Sequence, residues 1–543
     1  MIGNDTDHLI PHDLDLLSFL DGRFARFAGA PALRLEGSFE LSYDQLRAQI
    51  VAVSSRLIAR GLSTNARVAL LSENRPEWSI AMLGALRAGA MVVPLDTKLG
   101  TSEITTLLAH AKPRVILAST AQRARAIEAA RAAGIGSDRV LIIDDGSITS
   151  AGDIAPPVRT HDDVALIVYT SGTTGSPKGV TITFGNLMHQ VRAVGAAIGP
   201  QGRERFLSVL PLCHLYELIC GLLVPLSRGA TISYPAGETL LPAELSRIMR
   251  ERKITSLVGV PLLYRALSRG IDAEVKRASR GARIFVAMIS AIAAVIPLEK
   301  LRRAIHRPIL KSFGGALHQL YAGGAPLDPE VAKRFERMGL RIFQGYGLSE
   351  TSPVIATCTP RAYRRGSVGR PLPGVEVRIA DGEIQTRGPN VMRGYLDRAD
   401  LTKDVFTRDG WFKTGDLGHL DDDGYLHVTG RAKDVIVLGG GKKVYPDEVE
   451  LLLADHPGFA EVCVLGVPNR HGHEEVCAVV VPAAAQGEAD PEEEIARMLE
   501  GVAAFKRPTR VLVRREPIPR TTTRKAKRQA LAAWITNDLE QAA

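Results

Sequence analysis

The chain has 543 residues, 45% of them hydrophobic and 23% charged, with a formal net charge of +9. That length sets an expectation of about three or four units of ~150 residues, and five cysteines without paired spacing, Cys213, Cys220, Cys358, Cys463 and Cys477, argue for reduced thiols in a cytoplasmic setting. Neither a secretory leader nor an apolar span of ~20 residues is present, which excludes export and membrane spanning as expectations.

In chain order, strands and helices alternate early. Arg67 to Leu71 reads as a strand, Pro76 to Leu86 as a helix with Trp78, Met82, Ala85 and Leu86 on its apolar side, and Met91 to Leu95 as a strand. A helix around Ser102 to Ala109 leads to the strand Arg114 to Ala118, a doubly wound α/β pattern. The strand Val164 to Val168 then opens onto Tyr169-Thr170-Ser171-Gly172-Thr173-Thr174-Gly175-Ser176-Pro177-Lys178-Gly179, followed by helical spacing at Leu187, Met188, Val191, Val194 and Ile198. Strand, glycine loop, helix is a phosphate-binding context, because hydroxyls and bare N–H groups donate hydrogen bonds while lysine adds a mobile charge. The spacing is not that of a P-loop, since Pro177 separates Gly175 from Lys178. On composition alone a surface linker competes evenly with the phosphate reading.

Further on, Ile284 to Pro297 is an apolar run too short to span a bilayer. It reads first as a buried helix and second as a lipid-facing element giving peripheral membrane contact. His318 to Tyr321 reads as a strand end, Asp328-Pro329 as the cap of a helix bearing Val331, Phe335 and Met338, and Leu340 to Phe343 as another strand. From Val354 to Val428 short strands and turns suggest a β-rich subdomain. A smaller α+β unit follows, with helix Pro446 to Ala454, strands Glu461 to Val467 and Val476 to Val481, and helix Pro491 to Val502. Between Phe505 and Arg528 stand ten Lys or Arg against one acid, Glu516; with almost no aromatic residues among them, a phosphate-bearing small molecule is preferred over nucleic acid as the partner.

Eight motifs occur in order: YTSGTTGSPKG (169–179), PLCHLYE (211–217), YAGGAPL (321–327), QGYGLSET (344–351), GSVGRPLPG (366–374), WFKTGDLG (411–418), GRAKDVIVLGGGKKVYPDEVE (430–450) and PRTTTRKAKR (519–528). Through them the sequence resembles the adenylate-forming superfamily of acyl-CoA synthetases, luciferases and peptide-synthetase adenylation domains, over essentially all of residues 15–535. The resemblance removes the linker reading of the first motif. It implies an N-terminal AMP-binding domain over 1–430, built of doubly wound α/β subdomains plus a β-rich subdomain. A hinge at 431–434 and a small mobile α+β C-terminal domain over 435–543 follow.

The implied chemistry is a two-step reaction on ATP, Mg²⁺, a carboxylic acid and CoA. The carboxylate attacks the α-phosphate to give an acyl-adenylate and pyrophosphate, and a thiol then displaces AMP. By resemblance Thr170, Ser171, Gly172, Thr173, Thr174 and Lys178 hold the β- and γ-phosphates, and Glu350 ligates Mg²⁺, a hard cation suited to carboxylate oxygen. Gly323, Gly324 and Ala325 form the strip against adenine, Tyr346 stacks on the base between Gly345 and Gly347, and the Ser349 hydroxyl faces the α-phosphate. Asp416 accepts the ribose hydroxyls, assisted by Arg431.

Lys525 is the implied catalytic lysine of adenylation, although Arg524 stands where the family has glycine and Ala526 where it has Ile or Val. Lys433 takes the hinge position, and the Gly439-Gly440-Gly441-Lys442-Lys443 loop lines the CoA tunnel in the second pose. His214 either orients the substrate carboxylate or is a packed core histidine. His471 and His473 lack further ligands for a metal.

For substrate, the LYEL wording after His214, KSFGGALHQLYAGGAPL (311–327) and Tyr445-Pro446 look closest to bacterial long-chain fatty acyl-CoA synthetases, implying a medium- or long-chain fatty acid. A fatty-acyl-AMP ligase loading a separate acyl carrier protein is the first alternative; no carrier domain is expected in the chain itself. A catalytically impaired acyl- or nucleotide-binding protein, suggested by Arg524, is the second.

Overall fold

The computed structural model describes residues 15–542, except 38, 147–151, 153, 171–176, 199–203, 238–241, 278, 296–297, 455, 457, 470–472, 484–489 and 521–525. The chain divides into two compact units. The larger reaches to Glu376 and takes in Thr386–Phe412; the smaller comprises Val377–Gln385 and the chain from Lys413 onward. This division falls before the 430–434 boundary read from the sequence, because Phe412–Leu420 and Leu426–Arg431 pair with each other in a four-stranded sheet that includes Glu383–Arg387.

Two mixed sheets build the large unit. Among the described residues, one has seven strands, with Arg67–Leu71, Met91–Leu95, Val115–Ala118 and Val140–Ile142 running parallel as the early alternation predicts. The other has nine, with a central parallel run from Pro31–Leu35 through Thr231–Tyr234, Arg205–Leu207, Ser256–Gly259 and Gln319–Ala322 to Ile342–Tyr346. Parallel strands buried on both faces read as unbroken apolar runs, and Val68, Ala69, Leu70 and Leu71 are all 0% exposed. Helix Pro76–Arg87 starts on Pro76, whose missing N–H costs nothing there, and buries not only Trp78, Met82, Ala85 and Leu86 but every residue from Trp78 to Leu86, so its apolar side extends around the helix. Asp328 caps Pro329–Arg337 by accepting the Glu330 amide at 2.9 Å.

Two expectations are corrected. The phosphate loop does not open onto a helix: it closes a hairpin between Val164–Thr170 and the antiparallel strand Lys178–Thr183, with Thr170 opposite Lys178, and the helix Phe184–Ile198 follows that strand. The helix that follows in the chain thus begins six residues after Lys178 rather than at the loop. The described part of the apolar run at 284–297 belongs to helix Arg280–Val295, and its described side chains are not all buried. Ile289 and Ala293 are covered, whereas Ile284, Met288 and Ile292 are exposed.

In the small unit the strands Phe459–Pro468 and Glu474–Pro482 pair antiparallel, and the second pairs parallel with Arg510–Val513. Alternation at period 2 serves two cores. Val476, Ala478 and Val480 pack with Val449, Leu453 and Ile495, and Cys477, Val479 and Val481 with Leu531 and Ile535. All five cysteines are buried free thiols, as the reduced-thiol reading predicts. No helix among the described residues is long and apolar enough to cross a membrane.

Candidate functional site

In the large unit, the predicted residues gather where parallel strands end. Gln319–Ala322 and Ile342–Tyr346 are neighbours in register, Ala322 opposite Gln344, so Gly323-Gly324-Ala325 leaves the sheet beside Gly345 and Tyr346, which end their own strand ahead of Gly347. Carboxyl ends of parallel strands are where α/β sheets bind ligands. Glycine is required at two of these positions by close approach. A Cβ on Gly347 would stand 1.9 Å from the Pro353 carbonyl oxygen, and one on Gly323 would stand 2.9 Å from Tyr216 Cζ.

Glu350 lies in the turn Ser349–Thr351 that follows. The strand Gly394–Tyr395 pairs with Val180 and Thr181, the strand continuing from the phosphate hairpin. That pairing brings the Tyr395 hydroxyl to Glu350, to which it donates at 2.9 Å, while the Met392 amide donates to the Glu350 carbonyl at 2.8 Å. Burial, and then the Glu350 carboxylate, push the Tyr395 phenol up, so it stays a neutral donor. Lys178 Nζ stands 5.8 Å from the centre of the Tyr395 ring. The hairpin and Glu350 therefore meet at Tyr395, a residue the motif reading missed; short two-residue strands leave no periodic signal. Ser171, Gly172, Thr173 and Thr174 lie outside the described residues, and Thr170 and Lys178 form the base of their loop.

His214 stands just ahead of the π-helical stretch Glu217–Leu223. Its Nε2 lies 3.4 Å from Asp96 Oδ2, at the end of strand Met91–Leu95. Burial pushes the Asp96 carboxyl up, but His214 and the Lys98 amide outweigh it and hold the group below the usual carboxylate range. Burial pushes the thiol of Cys213, which stands beside them, well above its ordinary range. Asn74 ties the 208–217 segment to the other sheet: its side-chain amide donates to Ser208 Oγ at 3.0 Å and to the Leu210 carbonyl at 2.6 Å, and it accepts the Leu212 amide at 2.8 Å. Ser208 in turn donates to Glu217 Oε1 at 2.7 Å. Glu217 is fully buried, and burial raises its pKa to about 8, partly offset by that hydrogen bond. Asn74, Asp96 and the protonation of Glu217 had no sequence signal beyond an acid at a strand end, because each depends on a contact distant in the chain.

A pocket opens beside this segment, lined by Val194, Ile198, Tyr216, Cys220, Phe343 and Val354 with Gly345 at its edge. Among the described residues its lining holds no Lys, Arg, His, Asp or Glu.

The small unit holds the remaining predicted residues. Asp416 and Arg431 are register partners on adjacent strands, with Arg431 Nε 2.9 Å from Asp416 Oδ1, and Asp416 is 4% exposed. Gly439 to Lys442 form the turn of the hairpin Ile436–Val437 and Lys443–Val444, and Lys442 Nζ lies 4.7 Å from the centre of the Phe505 ring. Lys433 belongs to the short turn Ala432–Asp434. Lys525 and its neighbours 521–524 lie outside the described residues, but a bridge between Arg520 and Ala526 closes their loop. Just beyond, Arg528 meets Asp434, Asp447 and Glu450 at 3.3, 2.7 and 2.7 Å. His471 also lies outside the described residues.

Comparison with known proteins gives the family. Residues 20–396 match the AMP-binding enzyme family, and residues 448–525 match the AMP-binding enzyme C-terminal domain. The chain belongs to this adenylate-forming family, and it is an AMP-forming acid–thiol ligase. It is 32% identical over 496 residues to the feruloyl-CoA synthase of an Amycolatopsis species, covering 89% of this chain and 91% of that protein. To the long-chain-fatty-acid–CoA ligase FadD15 of Mycobacterium tuberculosis it is 33% identical over 454 residues, covering 77% and 74%. Among solved structures, the O-succinylbenzoate coenzyme A synthetase of Bacillus subtilis, in complex with ATP and magnesium ion, superposes with a TM-score of 0.76. That match has 26% identity and covers 94% of this chain and 98% of that one. The acids named for these relatives are aromatic, long-chain and dicarboxylic, so kinship alone does not select one.

Proposed function

We propose that this ligase is an acyl-CoA synthetase for an apolar monocarboxylic acid, with a medium- or long-chain fatty acid as its substrate class. The observation that carries the reading is the pocket at Tyr216, Cys220, Phe343 and Val354. Among the described residues its lining has no charged group to pair with a second carboxylate, and a buried, unpaired carboxylate would be too costly to desolvate. The aliphatic side chains Val194, Ile198 and Val354 suit a hydrocarbon chain.

In the first step the acid's carboxylate attacks the α-phosphorus of ATP, the bond to the β-phosphate oxygen breaks, and pyrophosphate leaves. An anion attacking a polyanion needs fixed cationic and N–H donors more than covalent help. We assign that role to the 170–178 hairpin, Lys178 included, and to Lys525. Glu350 suits a magnesium ion: among the described residues no Lys or Arg pairs with it, and its side chain's hydrogen bond comes from the neutral Tyr395 hydroxyl, so its charge is left for a cation. Bound there, the ion would screen phosphate charge. Asp416, oriented by Arg431, is the ribose acceptor, and His214, held by Asp96, faces the carboxylate region.

In the second step the CoA thiol adds to the acyl carbonyl and AMP leaves. We assign the pivot between the steps to Lys433 and the pantetheine path to Gly441, Lys442 and Lys443.

A panel of acids scored by pyrophosphate release, with and without CoA, tests the reading. Octanoate to palmitate should lead, with ferulate behind and oxalate and succinylbenzoate inactive. Preference for a dicarboxylate would overturn it, and acyl-AMP that is consumed only when a carrier protein replaces CoA would change the acceptor.

A further inference from the structure

Ten large apolar side chains are exposed among the described residues, and five of them, Ile284, Met288, Ile292, Leu298 and Leu301, fall within one short segment. That clustering marks a surface rather than scatter. On helix Arg280–Val295, Ile284, Met288 and Ile292 recur at intervals of four, which places them in one stripe. They are 62%, 52% and 47% exposed, while Ile289 and Ala293 on the opposite side are 5% and 0% exposed. The helix packs that covered side against its neighbours Pro261–Arg277, Glu299–Ile305 and Pro329–Arg337.

Charge around the stripe is predominantly basic. From Arg269 to Lys311 the sequence carries ten Lys or Arg and three acids, Asp272, Glu274 and Glu299. Asp272 is paired with Arg334 and Glu299 with Arg341, and the helix itself carries no acid. Lys276, Arg277, Arg280, Arg283, Lys300 and Arg307 are exposed.

We infer that this face docks on an anionic lipid surface, with helix Arg280–Val295 lying in the plane of the headgroups. An apolar stripe flanked by basic residues and free of acids is the pattern of an interfacial helix, in which apolar area supplies insertion and the basic rim attracts anionic headgroups. A second copy of the chain is a poorer occupant, because a two-fold contact would set the same cationic patch against itself. The docking face adjoins the apolar pocket through one helix. Pro261–Arg277 packs on Arg280–Val295, and its Tyr264 hydroxyl donates to the carbonyl of Tyr321, a pocket residue, at 2.7 Å. An apolar acid dissolved in the bilayer would thus be collected near its pocket, although the docking does not depend on which acid is used.

The test is co-sedimentation with vesicles of phosphatidylcholine alone or mixed with phosphatidylglycerol, at low and high salt. Three proteins are compared: the wild type, the triple variant Ile284→Ser, Met288→Ser, Ile292→Ser, and the double variant Arg280→Glu, Arg283→Glu. The wild type should bind the anionic vesicles, bind phosphatidylcholine at least about tenfold more weakly, and release at high salt. Both variants should bind anionic vesicles at least about tenfold more weakly while turning over a short, soluble acid at the wild-type rate. Wild type that ignores anionic vesicles, or a triple variant that binds like wild type, overturns the inference. So does a wild-type dimer in size-exclusion chromatography that the triple variant abolishes. Loss of turnover on every acid by the wild type would instead count against the proposed function and leave the vesicle result standing.

Discussion

Replacing Glu217 by glutamine should abolish a pH dependence of stability that the buried carboxyl imposes on the large unit. Glu217 is 0% exposed, and its pKa is raised from 4.5 to about 8. Because the folded state holds the proton more tightly than the unfolded chain, the contribution is fully present below about pH 4.5 and is lost as pH rises through about 8. At ~1.36 kcal/mol for each pH unit between those values, the wild type should lose on the order of 3–4 kcal/mol from about pH 5 to about pH 8. Glutamine is nearly isosteric, can accept the Ser208 hydroxyl as Glu217 does, and is neutral in both states, so Glu217→Gln lacks this loss. Urea unfolding followed by the fluorescence of fully buried Trp78 reports on this unit. His189 and His306, lowered by burial, and His318, raised by Glu204, titrate alike in both proteins and cancel in the difference. Equal slopes for wild type and variant across this range would refute the claim that Glu217 is protonated in the folded protein.

Three further outcomes follow from the site and its supports. Lys525→Ala should lower acyl-dependent pyrophosphate release by at least about a hundredfold with circular dichroism unchanged, consistent with loss of a transition-state charge; release at the wild-type rate would remove the residue from catalysis. Tyr395→Phe deletes the hydrogen bond to Glu350, so the magnesium concentration for half-maximal rate should rise several-fold, roughly the effect of one charge-assisted hydrogen bond; an unchanged magnesium dependence refutes the clamp. Arg528→Leu leaves Asp434, Asp447 and Glu450 without their shared cation and should destabilise the small unit by about 3 kcal/mol. The fluorescence of Trp534, which stacks on Arg514 within that unit, should melt earlier; an unshifted transition would mean that the three carboxylates do not depend on Arg528.

The strands 67–71 and 91–95 and the helix at Pro76 were legible because their signals are local: apolar runs bounded by turn residues, and proline at a helix start. The strand Lys178–Thr183 was not, because Lys178, Thr181 and Thr183 interrupt its apolar run and it passes directly into the helix pattern that follows. Helix Arg280–Val295 shows the limit of periodicity from the other side. It is apolar on most of its circumference, so the spacing could not say which face the neighbouring helices would cover.

By itself, then, the sequence determined the ligase family, and by resemblance it proposed the groups that meet phosphate and ribose. Those reside in short contiguous motifs whose order cannot arise from composition. Tertiary structure alone decided that Tyr395 clamps Glu350, that Asp96 faces His214, and that the segment carrying Glu217 excludes water until its carboxyl keeps a proton. It also decided that the pocket lining among the described residues is uncharged and that Ile284, Met288 and Ile292 of helix Arg280–Val295 stay exposed. Each of these rests on contacts between residues distant in the chain, and both burial and charge coupling arise only when such contacts form.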